Sequence, residues 1–284
     1  MAKAAVFKSK KKTSKIRATV LHIVLAVLSV LMVLPFVWMI STSLKGDSEI
    51  YKWPPTFIPN TILWDNYPKS WEAAPFLLFY RNSLFVALSV TLGQLITCTL
   101  AAYAFARLKF KGRDVLFLMF LGTMMIPGQV TMIGSFQMIH LLGWTDSFYA
   151  LIVPGLTSAF GTFLLRQFFM TLPTELEDAA RIDGSSRLGI IRHVILPLSV
   201  PALLTLAIFT FMGVWNDFMW PLVVLNSEEH YTVQLGLAIF RDSRSTVWNL
   251  LMAGTVTATM PILLIFFAAQ KYFIKGIALT GLKG

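Results

Sequence analysis

Long apolar blocks are the feature that most restricts how this chain can fold. Each of six blocks has about 20 residues or more, the length of helix that crosses roughly 30 Å of hydrocarbon. The predicted spans are 19–44, 83–106, 115–138, 148–170, 201–225 and 250–273. Pro127 and Gly128 should kink or locally unwind the third span. Because 13% of the residues are charged, against about 25% in soluble proteins, we predict an all-α integral membrane protein with six transmembrane helices.

The basic residues are distributed unevenly between the two predicted sides of the membrane. Residues 1–17 hold seven Lys and Arg and no acid, and 18 of the 24 Lys and Arg fall on the same side as this tail. Since basic loops stay in the cytoplasm, the N- and C-termini are both predicted to be cytoplasmic. The first span is too long for a signal-peptide core and lacks a cleavage pattern. We expect a multi-pass protein of the cell (inner or cytoplasmic) membrane. Its net charge of +10 follows from this distribution of basic residues and does not indicate a nucleic-acid partner.

The interval between the fourth and fifth spans reads PTELEDAARIDGSSRLGIIRHVILP and is predicted to be cytoplasmic. It is typical of two short helices with a break between them. Thr174 and Glu177 have the spacing of a capping box, and Gly184 stands where a left-handed residue ends a helix. Ser185 or Ser186 would cap the second helix, which should stop near the last proline of the interval. Such complete capping predicts a docking element.

Motifs for catalysis and metal binding are absent from the sequence. It contains no GxxxxGK[ST] phosphate-binding loop, no HExxH and no GxSxG, and the four histidines are scattered. The lone cysteine, Cys98, lies in an apolar span and is interpreted as a small buried residue. We therefore expect no catalytic residue, metal ligand or cofactor in this chain, which should not be an enzyme.

One acid is predicted to lie within the hydrocarbon region, namely Asp217. A charge at that depth is costly, so the carboxylate should face a cavity or a partner rather than lipid. On one interpretation Trp215, Asn216 and Asp217 line a polar translocation path, with the indole as a stacking face. On the other, a neighbouring helix satisfies Asp217, or the residue lies at the outer interface near Pro221. The sequence leaves both interpretations open.

The segment DAARIDG, followed by nine residues and then VILP, resembles the EAA loop of ABC-importer permeases, written EAAxxDG, nine residues, IxLP. Asp178 replaces the glutamate and Val194 replaces the isoleucine. The preceding RQFFMTLPTEL and the later WND at 215–217 are similar to the carbohydrate-uptake, MalG-like branch of these permeases. The resemblance covers roughly residue 76 to the C-terminus.

This resemblance implies a type I ABC importer permease fold in which the loop forms coupling helices that dock in a cytoplasmic ATPase. The small alanines would allow close approach, and the acids could engage bases. The candidate docking residues are Glu175, Glu177, Asp178, Ala179, Ala180, Asp183 and Gly184. The alternative is an amphipathic helix on lipid headgroups, which is less favoured because anionic lipid would repel these acids.

The resemblance also implies partners and a division of the chain. The partners are a second homologous permease, a cytoplasmic ATPase dimer that binds ATP and Mg²⁺, an extracytoplasmic solute-binding protein and the lipid bilayer. The loop 226–248, with Gln234 and Leu235 near its middle, corresponds to the one that reaches the binding protein. The expected parts are a basic cytoplasmic tail (1–17), a first span with an extracytoplasmic loop (18–75) and a permease core (76–284) that contains the coupling loop (171–198).

The predicted function is import of a sugar or oligosaccharide, driven by the partner ATPase through the coupling helices at 174–195. Two alternatives remain. A proton-coupled secondary transporter would use Asp217 as proton carrier and need no ATPase. A membrane scaffold would bind a cytoplasmic partner without moving solute.

Overall fold

The computed structural model describes residues 2–241 and 246–281. The start of the predicted basic tail, residues 242–245 of the predicted 226–248 loop and the end of the predicted core lie outside these ranges. The described secondary structure is helical, apart from an isolated bridge between Arg241 and Thr246. The prediction of an all-α chain is confirmed for this part.

The chain contains fifteen α-helices in the part that the structure describes. They are α1 (Ala2–Ser43), α2 (Asp47–Ile50), α3 (Asn66–Glu72), α4 (Phe76–Arg107), α5 (Arg113–Gly122), α6 (Gly128–Leu141), α7 (Phe148–Ile152), α8 (Ala159–Phe169), α9 (Glu175–Ile182), α10 (Arg187–Ile190), α11 (Leu196–Leu198), α12 (Val200–Trp215), α13 (Met219–Val224), α14 (Val233–Gly236) and α15 (Trp248–Gly281). A π-helical turn, Ile191–Ile195, joins α10 to α11.

In the described residues, four helical segments are long and apolar enough to cross a membrane, or up to six when each of two bent pairs counts as one span. The four are Arg17–Ser43, Phe76–Arg107, Phe148–Phe169 and Trp248–Ala268. The bent pairs are Arg113–Met125 with Gly128–Leu141, at 99°, and Arg187–Leu198 with Val200–Trp215, at 83°.

The chain forms two compact units. One comprises residues 1–70 and 240–257, and the other comprises 71–239 and 258–284. The predicted division at residues 17 and 75 follows the sides of the membrane rather than contacts, and it stays a prediction.

In the first unit, polar side chains hold the turn that follows α1. The Asn66 amide donates to the carbonyls of Ser43 and Lys45, both at 2.9 Å. Lys45 is 2% exposed and its ammonium lies 4.6 Å from the centre of the Trp38 ring. The aliphatic stem of a lysine is apolar, so its burial against an indole leaves the charge to a carbonyl acceptor, that of Thr56.

In the second unit, α4 is the central helix and packs against α8 and α12. Gly161 on α8 permits this approach. A Cβ at that position would lie 2.8 Å from the Leu206 side chain of α12 and 3.0 Å from the Cys98 sulfur of α4. Cys98 is 1% exposed, in agreement with its prediction as a buried residue.

A polar row on α4 satisfies the backbone where the fourth span is interrupted between α7 and α8. The Gln94 amide donates to the Gly155 carbonyl at 2.8 Å, and the Thr97 hydroxyl donates to the Leu156 carbonyl. The Cys98 thiol lies 3.5 Å from the Ser158 carbonyl. Irregular backbone at membrane depth needs such internal partners, so these residues allow the break.

Two predicted spans are broken as well. The third is interrupted at Ile126 and Pro127, which have extended backbones, so the kink predicted at Pro127 and Gly128 is confirmed. The fifth was predicted as one helix over 201–225, and this is wrong. α12 ends at Trp215, and α13 begins only at Met219. Asp217 caps α13, because its carboxylate accepts a hydrogen bond from the Trp220 N–H at 3.2 Å and so favours a new helix start.

Candidate coupling segment and candidate cavity

The coupling segment, defined here as residues 173–199, turns at Gly184. This glycine has φ +82°, and its N–H donates to the Arg181 carbonyl at 3.0 Å. The next N–H, that of Ser185, donates to the Ala180 carbonyl at 2.9 Å. Together these bonds form a Schellman motif, in which a left-handed residue closes a helix. The prediction that Gly184 is left-handed and ends the first helix is confirmed.

The second half of the segment begins at Ser186. Its hydroxyl accepts a hydrogen bond from the Gly189 N–H at 3.2 Å and caps α10. The helical path continues through the π-helical turn and ends at Ser199, whose N–H donates to the Ile195 carbonyl at 3.0 Å. The predicted pair of helices, the cap at Ser186 and the end near Pro197 are confirmed.

The predicted capping box at the start of α9 is wrong. Thr174 has helical backbone angles, φ −72° and ψ −25°, and its side chain makes no capping hydrogen bond. The Glu177 carboxylate does not turn back to Thr174. It turns inward instead, because a buried guanidinium offers it a stronger partner than a backbone N–H.

Glu177 lies in a buried network at the end of α4. Its Oε1 atom is 2.6 Å from Nε of Arg107, with the two side chains 3% and 8% exposed. The Tyr103 hydroxyl donates to its Oε2 atom at 3.2 Å. Arg181 also approaches Oε2, at 3.6 Å, and pairs with exposed Asp178 at 2.7 Å. The carboxylate is thus enclosed by the chain itself, which sets Glu177 apart from the other acids predicted to dock.

The remaining predicted docking residues, apart from Ala180, lie on the outside of the segment. Ala180 is half-buried and packs against the core. The exposed ones are Glu175, Asp178, Ala179, Asp183 and Gly184. The sequence reasoning missed the exposed apolar side chains of this segment, of which Ile182, at 87% exposed, and Leu188, at 68%, are the most exposed. Their positions on either side of Gly184 were the signal, since a helix break exposes its flanks.

A cavity of about 440 Å³ opens among α4, α6, the interrupted fourth span and α13. Its wall is largely apolar, with polar groups at Gln94, Gln129, Thr131, Ser135, Asp217 and Thr232. A mostly apolar cleft with a few polar groups is the usual form of a small-molecule site. Among the described lining residues there is no Lys, Arg or His, so Asp217 supplies the charge.

The three residues predicted to line a translocation path lie in different surroundings in the structure. Asp217 lines the cavity, but Trp215 does not: it is 2% exposed, and its indole N–H donates to the Ala258 carbonyl at 3.0 Å. Asn216 is exposed and donates to the Met212 carbonyl at 2.9 Å. The cavity indole is that of Trp220, which donates to the Ala150 carbonyl at 2.9 Å. α12 ends at Trp215, so the residues that follow do not continue its helical register.

A third carboxylate, Asp146, fastens the loop that follows α13. Its Oδ1 atom accepts from the backbone N–H groups of Asn226 at 2.9 Å and Ser227 at 3.0 Å, and the Ser227 hydroxyl donates to Oδ2. His230 lies 3.4 Å from Oδ1. Burial alone would raise the pKa of Asp146, but the hydrogen bonds from Ser227 and Asn226 lower the pKa to about 2. We call Asp146, Asn226, Ser227 and His230 the loop clasp.

Comparisons with known proteins agree with this architecture. Residues 93–279 match the family described as binding-protein-dependent transport system inner membrane component. The arabinooligosaccharides transport system permease protein AraQ of Halalkalibacterium halodurans is 34% identical over 278 residues, which cover 97% of this chain and 100% of that protein. The sn-glycerol-3-phosphate transport system permease protein UgpE of Yersinia enterocolitica is 34% identical over 265 residues, with 90% and 94% covered.

The fold also matches a solved structure. A chain from the crystal structure of a bacterial ABC transporter involved in the import of the acidic polysaccharide alginate superposes with a TM-score of 0.82. The identity is 24%, and 92% of this chain and 98% of that chain are covered. The helical fold is therefore that of an ABC-importer permease.

The interrupted spans, the exposed coupling segment and the cavity agree with a membrane transport protein. The chain belongs to the family of inner membrane components of binding-protein-dependent transport systems. The family predicted from the EAA-like loop, an ABC-importer permease of the carbohydrate-uptake type, is confirmed. The comparisons support neither the proton-coupled transporter nor the scaffold.

Proposed function

We propose that this chain is one of two permease subunits of an ABC importer for a neutral oligosaccharide. The observation that carries the proposal is the coupling segment, in which exposed acids and the exposed apolar side chains of Ile182 and Leu188 flank a Schellman turn. In this proposal the chain crosses the cytoplasmic membrane six times, with both termini and the coupling segment in the cytoplasm. The uneven distribution of Lys and Arg supports this orientation.

The coupling segment docks on a separate ATPase dimer that binds ATP and Mg²⁺. Ile182 and Leu188 enter an apolar cleft, while Glu175, Asp178 and Asp183 face bases at its rim. Buried apolar anchors with a charged rim are the usual arrangement of a protein interface. The second permease subunit covers apolar surface such as that of α1, where residues 17–36 are exposed along the helix.

The charge of the cavity supports a neutral solute. An anionic group brought within about 4 Å of the Asp217 carboxylate would be repelled by about 4 kcal/mol at an effective dielectric constant near 20. The Trp220 ring and the amides of Gln94 and Gln129 suit a sugar, which has apolar faces and many hydroxyl groups. Of the solutes named for the relatives, arabinooligosaccharides fit this cavity, whereas glycerol 3-phosphate and alginate are acidic.

A solute-binding protein delivers the oligosaccharide on the extracytoplasmic side. The loop 226–248, including Gln234 and Leu235, forms its landing site in this proposal. The loop clasp supports that role, because it fixes where the loop leaves the bundle.

Affinity purification of the tagged chain from its native membrane tests the proposal. We expect a second permease, an ATPase and a soluble binding protein to co-purify. In proteoliposomes the assembly should take up a labelled three-unit arabinooligosaccharide with ATP and exclude glycerol 3-phosphate. Uptake down a proton gradient without any ATPase would overturn the proposal. Preferential uptake of glycerol 3-phosphate would overturn the assignment of a neutral solute alone.

A further inference from the structure

The coupling segment is joined to α4 at a charged contact. Of the eight residues of α9, all of them described, Glu177 is the buried one. Its carboxylate meets Arg107 at 2.6 Å and Tyr103 at 3.2 Å, and both partners lie in the last turns of α4. Arg107 also donates to the Leu172 carbonyl at 2.7 Å, in the connection from α8 to α9. One guanidinium therefore contacts both α9 and the connection that leads from α8 to α9.

A buried ion pair is an unusual choice if the contact served packing alone. Two charges lose their hydration on burial, and well-packed apolar residues often stabilise a site equally well. Directional hydrogen bonds flank this ion pair, however, because Tyr103 donates to Glu177 and Arg107 donates to the Leu172 carbonyl, and each bond weakens as its angle departs from linear. The Glu177 contact therefore restricts sliding and rotation of α9 against α4, which an apolar contact would permit.

α4 connects the contact between Arg107 and Glu177 to the cavity and to the loop that follows α13. Gln94 and Val90 of α4 line the cavity, and Gln94 lies 13 residues from Arg107, about 20 Å along a helix. At the opposite end of α4, the Asn82 amide donates to the Glu229 and Tyr231 carbonyls, at 2.8 and 3.0 Å. The Ser83 hydroxyl accepts from the Val233 N–H at 2.7 Å. One continuous helix thus contacts the coupling segment, the cavity and the loop that follows α13.

We propose that the Arg107–Glu177 pair is the joint that transmits movement of the coupling segment to α4, and through α4 to the cavity and the loop near residues 229–233. Arg107 and Glu177 are then positioning residues for transport, which act through α4 and touch no solute. This inference rests on the proposed function, since it requires an ATPase on the coupling segment and a binding protein at the loop.

The joint predicts a measurable coupling free energy between two distant ligands. Where two sites are linked, the affinity at one depends on occupancy of the other. The quantity to measure is the affinity of the purified complex for its binding protein, with ADP and vanadate and without nucleotide. The ratio of the two affinities reports the link and requires no knowledge of the solute.

The main variant is the double substitution Arg107→Met/Glu177→Leu, which replaces the charged pair by apolar side chains of similar length. We expect the complex to assemble and the affinity ratio to fall to one. Glu177→Gln, which keeps the shape of the side chain, serves as the second variant and should lower the ratio in part. The matched control is Arg113→Met, which removes a base that pairs with exposed Asp114 at 3.0 Å and should leave the ratio unchanged.

Each outcome decides between the alternatives. A wild-type ratio in the assembled double variant would show that the contact only packs, and the joint would be rejected. An unchanged ratio in Glu177→Gln, or an equal loss in Arg113→Met, would reject it as well. A ratio of one in the wild-type complex with ATPase bound would overturn the joint but not the transporter. Failure of any ATPase to bind the wild-type chain would overturn the proposed function itself.

Discussion

Glu177 and Asp217 are both acids in largely apolar surroundings, yet the structure treats them in opposite ways. Glu177 is enclosed, with two arginines and a tyrosine around its carboxylate. Asp217 accepts backbone hydrogen bonds, that from Trp220 at 3.2 Å, and lines an open cavity. The first carboxylate is satisfied within the chain, whereas the second keeps capacity for a ligand.

The contrast shows that the cost of a buried charge can be met by internal partners or left to a solute. Where partners within the chain hold the carboxylate, as at Glu177, the contact is a rigid joint. Removal of either partner then leaves the other charge buried and unpaired. Where the carboxylate faces a cavity, as at Asp217, it can form a binding site, because it retains unused acceptor positions. Substitutions at the two acids, and at positions that support them, should therefore have different effects on stability and on transport.

Replacement of Glu177 should have the largest effect on stability. Glu177→Ala leaves Arg107 buried without its counter-charge, so we expect a loss of about 3–5 kcal/mol in the free energy of unfolding. Asp178→Ala is the neighbouring control, because its pair with Arg181 is exposed and should contribute about 0.5 kcal/mol or less. Thermal unfolding of the purified chain in detergent measures both. Equal losses would remove the distinction between the enclosed acid and its exposed neighbour.

Asp146 should fall between the two extremes, since hydrogen bonds rather than a buried cation satisfy it. Its pKa is lowered from 3.8 to about 2, so the clasp stabilises the fold fully above pH 4 and loses that contribution as the pH falls through 2. The shift corresponds to about 2 kcal/mol at neutral pH. Asp146→Asn should remove this pH dependence between pH 4 and 2 in unfolding experiments. A wild-type profile in the variant would place the titration elsewhere.

Gly184 ends α9, the helix that contains Glu177, and so determines how its exposed side chains are presented. Gly184→Val should introduce strain of about 1–2 kcal/mol, because φ +82° is unfavourable for a β-branched residue. A Cβ there meets nothing within 4 Å, so the effect belongs to the backbone. Gly184→Asn, which tolerates the left-handed conformation, is the control. We expect Val, but not Asn, to reduce ATPase co-purification and uptake while membrane insertion persists. Wild-type uptake in Gly184→Val would contradict the docking geometry.

Asp217 should have the smallest effect on stability and a clear effect on transport. Asp217→Leu leaves the Trp220 N–H without its acceptor, which costs about 1 kcal/mol. Asp217→Asn keeps an acceptor and isolates the charge. We expect both variants to assemble, Leu to impair uptake, and Asn to admit anionic solutes that the wild type excludes. Unchanged uptake and selectivity in both would return Asp217 to a capping role.

Much of this molecule could be predicted from residues that act locally. Apolar length predicted the membrane helices, Gly184 predicted the Schellman turn, and Pro127 predicted the kink of the third span. Each of these depends on neighbours a few positions away in sequence. The capping box at Thr174 failed because Glu177 had a better partner, Arg107, 70 positions earlier in the chain.

The cavity indole illustrates the same limit. Trp215 and Trp220 are equivalent as residue types, and no local pattern shows which of them is buried. The Trp215 indole is buried because it donates to the Ala258 carbonyl, 43 positions later in the chain.

The sequence by itself determined that this is a helical membrane protein, which family it belongs to, and where its coupling segment turns. Those properties follow from hydrophobicity, backbone preference and motif spacing along the chain. The tertiary structure alone decided which acid is enclosed and which faces the cavity. The reason is that satisfying a buried charge depends on partners from other helices, and their approach is set by packing rather than by neighbouring residues.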